Sequence, residues 1–159
     1  MNKFRVVPLS KEYAAKLRSS RVDDFGHQIV EEVATGLGPC RVSLQPFTHG
    51  KDKRLLLSHS PFAIDNAFNQ PGPVFISAAD VEPYADVYRF PPAIKENPSF
   101  HLTLIGYSHE QRMVHTELVP DNLEIEHQIN QVLENNPNID FLHVRSAIAC
   151  CYICTIVRA

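Results

Sequence analysis

A chain of 159 residues with a net charge of −3 is long enough for one folded domain, and a single domain over residues 1–159 is expected. Apolar residues make up 44% and charged residues 21% of it, which excludes an intrinsically disordered chain. Acidic and basic residues are interspersed with no run of five like charges, so neither nucleic acid nor an anionic membrane is an expected partner.

No apolar stretch approaches the roughly 20 residues of a membrane span. Lys3, Arg5 and Lys11 stand near the N-terminus without the apolar core of a secretory leader, and a cytoplasmic location is expected. The four cysteines are too few for a disulfide scaffold. Three of them crowd into Cys150, Cys151 and Cys154, and reduced thiols are the expectation.

Taken in chain order, Phe4 to Val7 is β-prone. Ser10 is placed to cap a helix running to about Arg18, with Glu12 in its first turn and Tyr13, Ala14 and Leu17 on one stripe. His27 to Thr35 fits either a helix or a strand, and Gly36-Leu-Gly-Pro39 ends it either way. Cys40 to Leu44 is predicted as a strand, joined through a turn near His49–Asp52 to a second strand over Arg54–His59. The run Leu55-Leu-Leu57 suits a strand buried on both faces. Ser60 to Pro73 is the longest irregular stretch, and such loops are often functional.

Val74 to Ser77 is a short strand. Ala78 to Ala85 is read as one helical turn and Asp86 to Asn97 as loop. Phe100–Tyr107 and Met113–Val119 alternate as a hairpin. Asp121 to Glu134 is the strongest helix, with Asp121 as N-cap, Glu124 placed for a capping box, and Ile125, Ile129, Val132 and Leu133 on the buried stripe. Asn135 or Asn136 is placed for a left-handed cap before Pro137. Ile139–Arg145 and Cys151–Val157 are the last two strands, predicted to pair antiparallel through the Ser146–Cys150 turn. The class is α+β: a mainly antiparallel sheet with two or three helices packed against it.

The polar cluster worth testing is carried by those last strands. His143 and Arg145 leave one strand face together with Phe141, while Leu142 and Val144 take the other. Such a face suits a cleft for an anionic or carbonyl-bearing ligand. The bland alternative is a solvent-exposed or salt-bridged polar face. Tyr152 falls on the neighbouring strand, and Arg41 is required from a sheet neighbour. For Arg41, pairing with a carboxylate at the core edge is the preferred bland reading over activation of the adjacent Cys40 thiol.

Cys151-x-x-Cys154 in a strand splays its thiols, so a redox pair is disfavoured, and buried structural thiols are the simpler reading. The ligand count for zinc falls short at any regular spacing. No metal and no cofactor is expected, and no catalytic residue is assigned. Phosphate-binding Gly loops, a dinucleotide fingerprint and a nucleophile elbow are not found.

Cys40-Arg-Val-Ser-Leu44, Leu55-Leu-Leu57, Gly72-Pro-Val-Phe-Ile76, Phe141-Leu-His-Val-Arg145 and Cys151-Tyr152, in that order, resemble the bacterial family catalogued as domain of unknown function 1203. The resemblance spans about residue 40 to the C-terminus. Family members often carry Gly before the late Cys-Tyr pair and Asn after a His-Val-His or His-Val-Arg run, where this chain has Cys150 and Ser146. The resemblance implies no activity or cofactor, but it draws attention to Cys40, Arg41, His143, Arg145, Cys151 and Tyr152.

The leading expectation is a small anionic or carbonyl-bearing ligand held by Arg41, His143, Arg145 and Tyr152 around a common space. An enzyme with Cys151 or His143 as reactive group, and an interaction module without a pocket, are the alternatives.

Overall fold

The computed structural model describes residues 1–159. Eight strands form two antiparallel sheets, with few and short helices. The strands are β1 (Phe4–Val7), β2 (Val30–Val33), β3 (Lys53–His59), β4 (Gly72–Ser77), β5 (Leu102–Tyr107), β6 (Met113–Leu118), β7 (Phe141–Ser146) and β8 (Tyr152–Arg158). The five-stranded sheet has the order β1-β8-β7-β5-β6, and the three-stranded sheet has the order β2-β3-β4. The helices are α1 (Lys11–Ser20), α2 (Pro92–Lys95) and α3 (Ile125–Asn135). None is long and apolar enough to cross a membrane.

Helix α1 starts where Ser10 Oγ accepts from the Tyr13 amide at 3.1 Å, and it stops at Arg21, which adopts the left-handed conformation. Before α3, Asp121 accepts from the Leu123 amide and opens a 3-10 turn over Asn122–Glu124. The expected capping box does not form. Asn136 is not left-handed either; its side-chain amide donates to the Val132 carbonyl at 2.8 Å and closes the helix that way. The apolar stripe Ile125, Ile129, Val132 and Leu133 is buried as read from its spacing.

Two cores result. One contains the α3 stripe together with Leu102, Leu104, Leu142, Val144 and Ile156 from one face of the large sheet. The other contains Ala14 and Leu17 of α1 with Leu55, Leu57, Val74 and Ile76 of the small sheet. There the register sets Leu55 opposite Ile76 and Leu57 opposite Val74, so alternate residues share one buried face. Leu56 lies on the half-buried face, so β3 is not buried on both sides.

Four expectations need correction. Residues Cys40 to Leu44 are a turn, not a strand: the Leu44 amide bonds the Cys40 carbonyl at 2.9 Å, and Leu44 is left-handed at φ 55°. The apolar alternation that imitates a strand arises because Cys40 and Val42 enter one core and Leu44 the other. In consequence β3 pairs with β2 and β4 rather than with residues 40–44. Residues 78–85 hold no helical turn, whereas Pro92, ideal for a first helical position, opens the short α2 inside the stretch read as loop. The ambiguous segment 27–35 resolves as the edge strand β2.

Candidate functional site

The hairpin of β7 and β8 builds the site. Its register runs Phe141–Val157, Leu142–Ile156, His143–Thr155 and Val144–Cys154, then shifts so that Arg145 faces Tyr152. Ile153 is the extra residue of this bulge. It enters the α3 core beside Cys154, and the shift turns Tyr152 onto the opposite face with His143 and Arg145. Tyr107 at the end of β5 joins that face, its register partner being Phe141. Above them runs the loop between β3 and β4. Its Phe62 ring meets Tyr107 edge-on at 5.1 Å and His143 at 4.8 Å between centroids.

This loop is pinned from below by Gln111, a buried residue of the β5–β6 turn at φ 60°. Its carboxamide accepts from the Ala63 and Ile64 amides at 3.1 and 2.9 Å and donates to the Ile64 carbonyl and to Asn69 Oδ1. The turn thus anchors the Phe62 cover.

The face under Phe62 is polar yet buried. His143 is 0% exposed and Arg145 4%. Neither is on a solvent-exposed or salt-bridged surface, contrary to the bland reading. Every buried side-chain nitrogen or oxygen without a hydrogen-bond partner belongs to four residues here. They are Ser60 Oγ, Tyr107 Oη, both ring nitrogens of His143, and Nε and Nη2 of Arg145. Unpaired buried polar atoms are rare and costly, about 1–3 kcal/mol each, so such a concentration marks the place where the fold gives up stability.

Arg145 is only half satisfied. Its Nη1 donates to the Cys150 carbonyl at 3.1 Å, which fixes the guanidinium plane. Nε and Nη2 remain, and they carry the two parallel N–H bonds of one guanidinium edge, the geometry that grips a carboxylate or phosphate. Burial pushes its pKa down, opposed by Tyr107, Tyr152 and Cys151, but a guanidinium keeps its charge at ordinary pH.

His143 and His59 are neutral. Burial drives His143 down to about 3, helped by the charge of Arg145. His59, at the end of β3, is lowered to about 4 by burial; Asp24 opposes this, and Arg41 adds to it. Its Nδ1 lies 3.2 Å from the Tyr13 hydroxyl, which in turn donates to Asp24. The Tyr152 phenol is pushed up by burial and bonds Thr155 Oγ1 at 2.8 Å.

Arg41 is differently placed. It is 1% exposed and fully engaged: Nε donates to the Tyr152 carbonyl at 2.6 Å, Nη1 to the Pro39 carbonyl, and Nη2 to Cys151 Sγ at 3.3 Å. Its partners are two carbonyls and a sulfur, not the expected carboxylate. Arg41 therefore ties the 39–41 turn to the start of β8 and holds Cys151 from behind.

Arg145, Cys151 and Tyr152 share a cavity of about 290 Å³ with His59 and the β4 start at Gly72 and Pro73. His143 touches the Tyr152 ring at 5.1 Å but opens onto another cavity, about 450 Å³, with Pro61, Gln111 and Thr155. Of the four residues proposed from sequence, Arg145 and Tyr152 line one cavity, His143 lines the other, and Arg41 lines neither, being held behind Cys151 and Tyr152. Cys40 lies apart, on a larger depression of about 670 Å³ walled by Glu31, Phe47 and Lys53, where no unpartnered buried polar atom converges. Cys154 is buried in the α3 core, with its thiol pushed up to about 12 by burial. No three His, Cys, Asp or Glu side chains converge as metal ligands.

Sequence reasoning missed Ser60, Phe62, Tyr107 and Gln111. The signal for the first two was the long 60–73 loop itself. Tyr107 ended a confidently alternating strand, but nothing in the spacing ties it to Arg145.

Fold and site define an α+β protein with a buried cationic seam between two antiparallel sheets. The family model described as protein of unknown function, DUF1203, matches residues 38–158, and the chain belongs to that family. No curated protein and no solved structure matches it. The two departures noted from the family pattern have structural counterparts. Cys150 adopts φ 63°, the left-handed conformation that glycine takes freely. Ser146 accepts from the Ala149 amide at 3.0 Å, a turn bond that an Asn side chain makes equally well.

Proposed function

We propose that this protein binds a small anion, a carboxylate or a phosphate, at the free edge of Arg145. The observation that carries the reading is that edge itself: two parallel N–H donors without a partner on a residue only 4% exposed, with no carboxylate near enough to pair. The uncovered groups around it are hydroxyls of Ser60 and Tyr107 and a neutral imidazole, all able to donate. A fixed guanidinium charge among neutral neighbours suits an oxyanion and repels a cation. The Arg145 cavity is small, which fits a ligand of a few heavy atoms.

The test is an NMR titration of the Arg145 Nε–H resonance with sodium acetate and with sodium phosphate at constant ionic strength. A saturable shift with either anion supports the reading, and the stronger of the two identifies the headgroup class. A resonance that does not move with either overturns it.

A further inference from the structure

Cys151 is the one thiol on the Arg145 cavity that is held by a cation. Its half-buried side chain lines that cavity, and its sulfur accepts from Arg41 Nη2. Arg41 is buried, its other two nitrogens donate to backbone carbonyls, and no acidic side chain pairs with it. Cysteine attacks through a sulfur lone pair, and the hydrogen bond from Arg41 holds that sulfur at the cavity. Arg145 lines the same cavity, and its Nε and Nη2 have no hydrogen-bond partner.

We propose that Cys151 is the nucleophile of a covalent site for small carboxylates that carry an electrophilic carbon, with Arg145 gripping the carboxylate and Arg41 positioning the sulfur. This inference rests on the anion reading of Arg145. In the step, a sulfur lone pair forms the S–C bond. Where the carbon is a carbonyl, the π pair moves to oxygen, which takes a proton from solvent, and a hemithioacetal results. Where the carbon bears a leaving group, that group departs with its bonding pair and a thioether results. Neither route needs an oxidant or a reductant.

Iodoacetate and iodoacetamide test it directly, because they differ in charge and share a leaving group. Cys150→Gly serves as background: it removes the neighbouring exposed thiol while keeping the carbonyl that anchors Arg145. Alkylation is followed by intact mass and located by fragmentation. A free thiolate repels iodoacetate and reacts faster with iodoacetamide. The expected result is the reverse at Cys151, with the iodoacetate-to-iodoacetamide rate ratio above one. Arg145→Gln should lower that ratio by about tenfold or more, the scale of a lost charge-assisted pair. Unreactive acetate, added to the protein without any change at Arg145, should slow iodoacetate selectively; this arm does not depend on a variant folding. Cys151 inert to both reagents, while acetate or phosphate still shifts the Arg145 resonance, overturns the covalent site and leaves the anion reading standing. Cys151 alkylated with a ratio below one, unmoved by Arg145→Gln and by acetate, overturns both.

Discussion

Arg145 stands directly opposite Tyr152 across β7 and β8, and it does so only because Ile153 bulges out of the pairing. In an unbroken antiparallel register Arg145 would face Ile153, and Tyr152 would point into the α3 core. The bulge puts a phenol beside the guanidinium, closes one wall of the Arg145 cavity, and brings the Tyr152 carbonyl to Arg41. Bulges next to binding sites commonly re-aim a side chain in this way.

Arg41 is expected to be a residue of stability first. Arg41→Met removes donors from the carbonyls of Pro39 and Tyr152 in a fully buried place. The expected loss is about 2–4 kcal/mol, from two stranded acceptors set against removal of a buried charge. Urea unfolding measures it, and a loss below about 0.5 kcal/mol, the level of an ordinary surface change, would contradict the role given to Arg41.

His143 makes the fold acid-sensitive. Its ring stays neutral in the folded protein down to about pH 3, whereas an unfolded chain's histidine takes up a proton near pH 6.5. Between those values the unfolded state binds more protons, so stability falls as pH falls, by up to about 1.4 kcal/mol per pH unit from this residue. His59 acts in the same direction down to about pH 4. His143→Phe, set among Phe62, Tyr107, Phe141 and Tyr152, should flatten the acid limb of a melting-temperature profile. An acid limb as steep in the variant as in the parent would show that the imidazole titrates normally in the fold.

How much of this was legible in the sequence depends on the range of the interaction. The helix cap at Ser10, the α3 stripe and the β5–β6 and β7–β8 hairpins are local patterns, and they are present as expected. The grouping of His143 and Arg145 on one face followed from strand alternation. Turn 40–44 misled because its alternation serves two cores rather than two faces of a sheet. The bulge at Ile153, the Phe62 cover and its Gln111 anchor are tertiary, and no spacing rule announces them. The burial of Arg145 without a carboxylate is likewise a property of the assembled fold.

Gln111 should decide how well the cover is held. Gln111→Ala deletes the bonds to Ala63, Ile64 and Asn69. Amide exchange at Ala63 and Ile64 is expected to rise far more than exchange in β7, with a global cost of about 1–3 kcal/mol. Equal increases throughout the protein would mean that the loop does not open separately.

Cys150 carries backbone strain at φ 63°. Cys150→Gly should stabilise the protein by about 0.5–1 kcal/mol, the left-handed penalty less the entropy that glycine adds to the unfolded chain. A lowered melting temperature would show that the Cys150 side chain contributes more than its conformation costs.

The central claim is that Arg145 is kept half-satisfied in order to hold an anion. The most direct measurement is the melting temperature of the parent and of Arg145→Gln as acetate or phosphate is raised at constant ionic strength. A ligand that binds only the folded state stabilises it by an amount that grows with the logarithm of its concentration once the site is occupied. The parent should gain stability along that curve with at least one of the two anions, and Arg145→Gln, folded but lacking the guanidinium edge, should show no gain. A parent that does not respond, or a variant that responds as strongly, would contradict the claim.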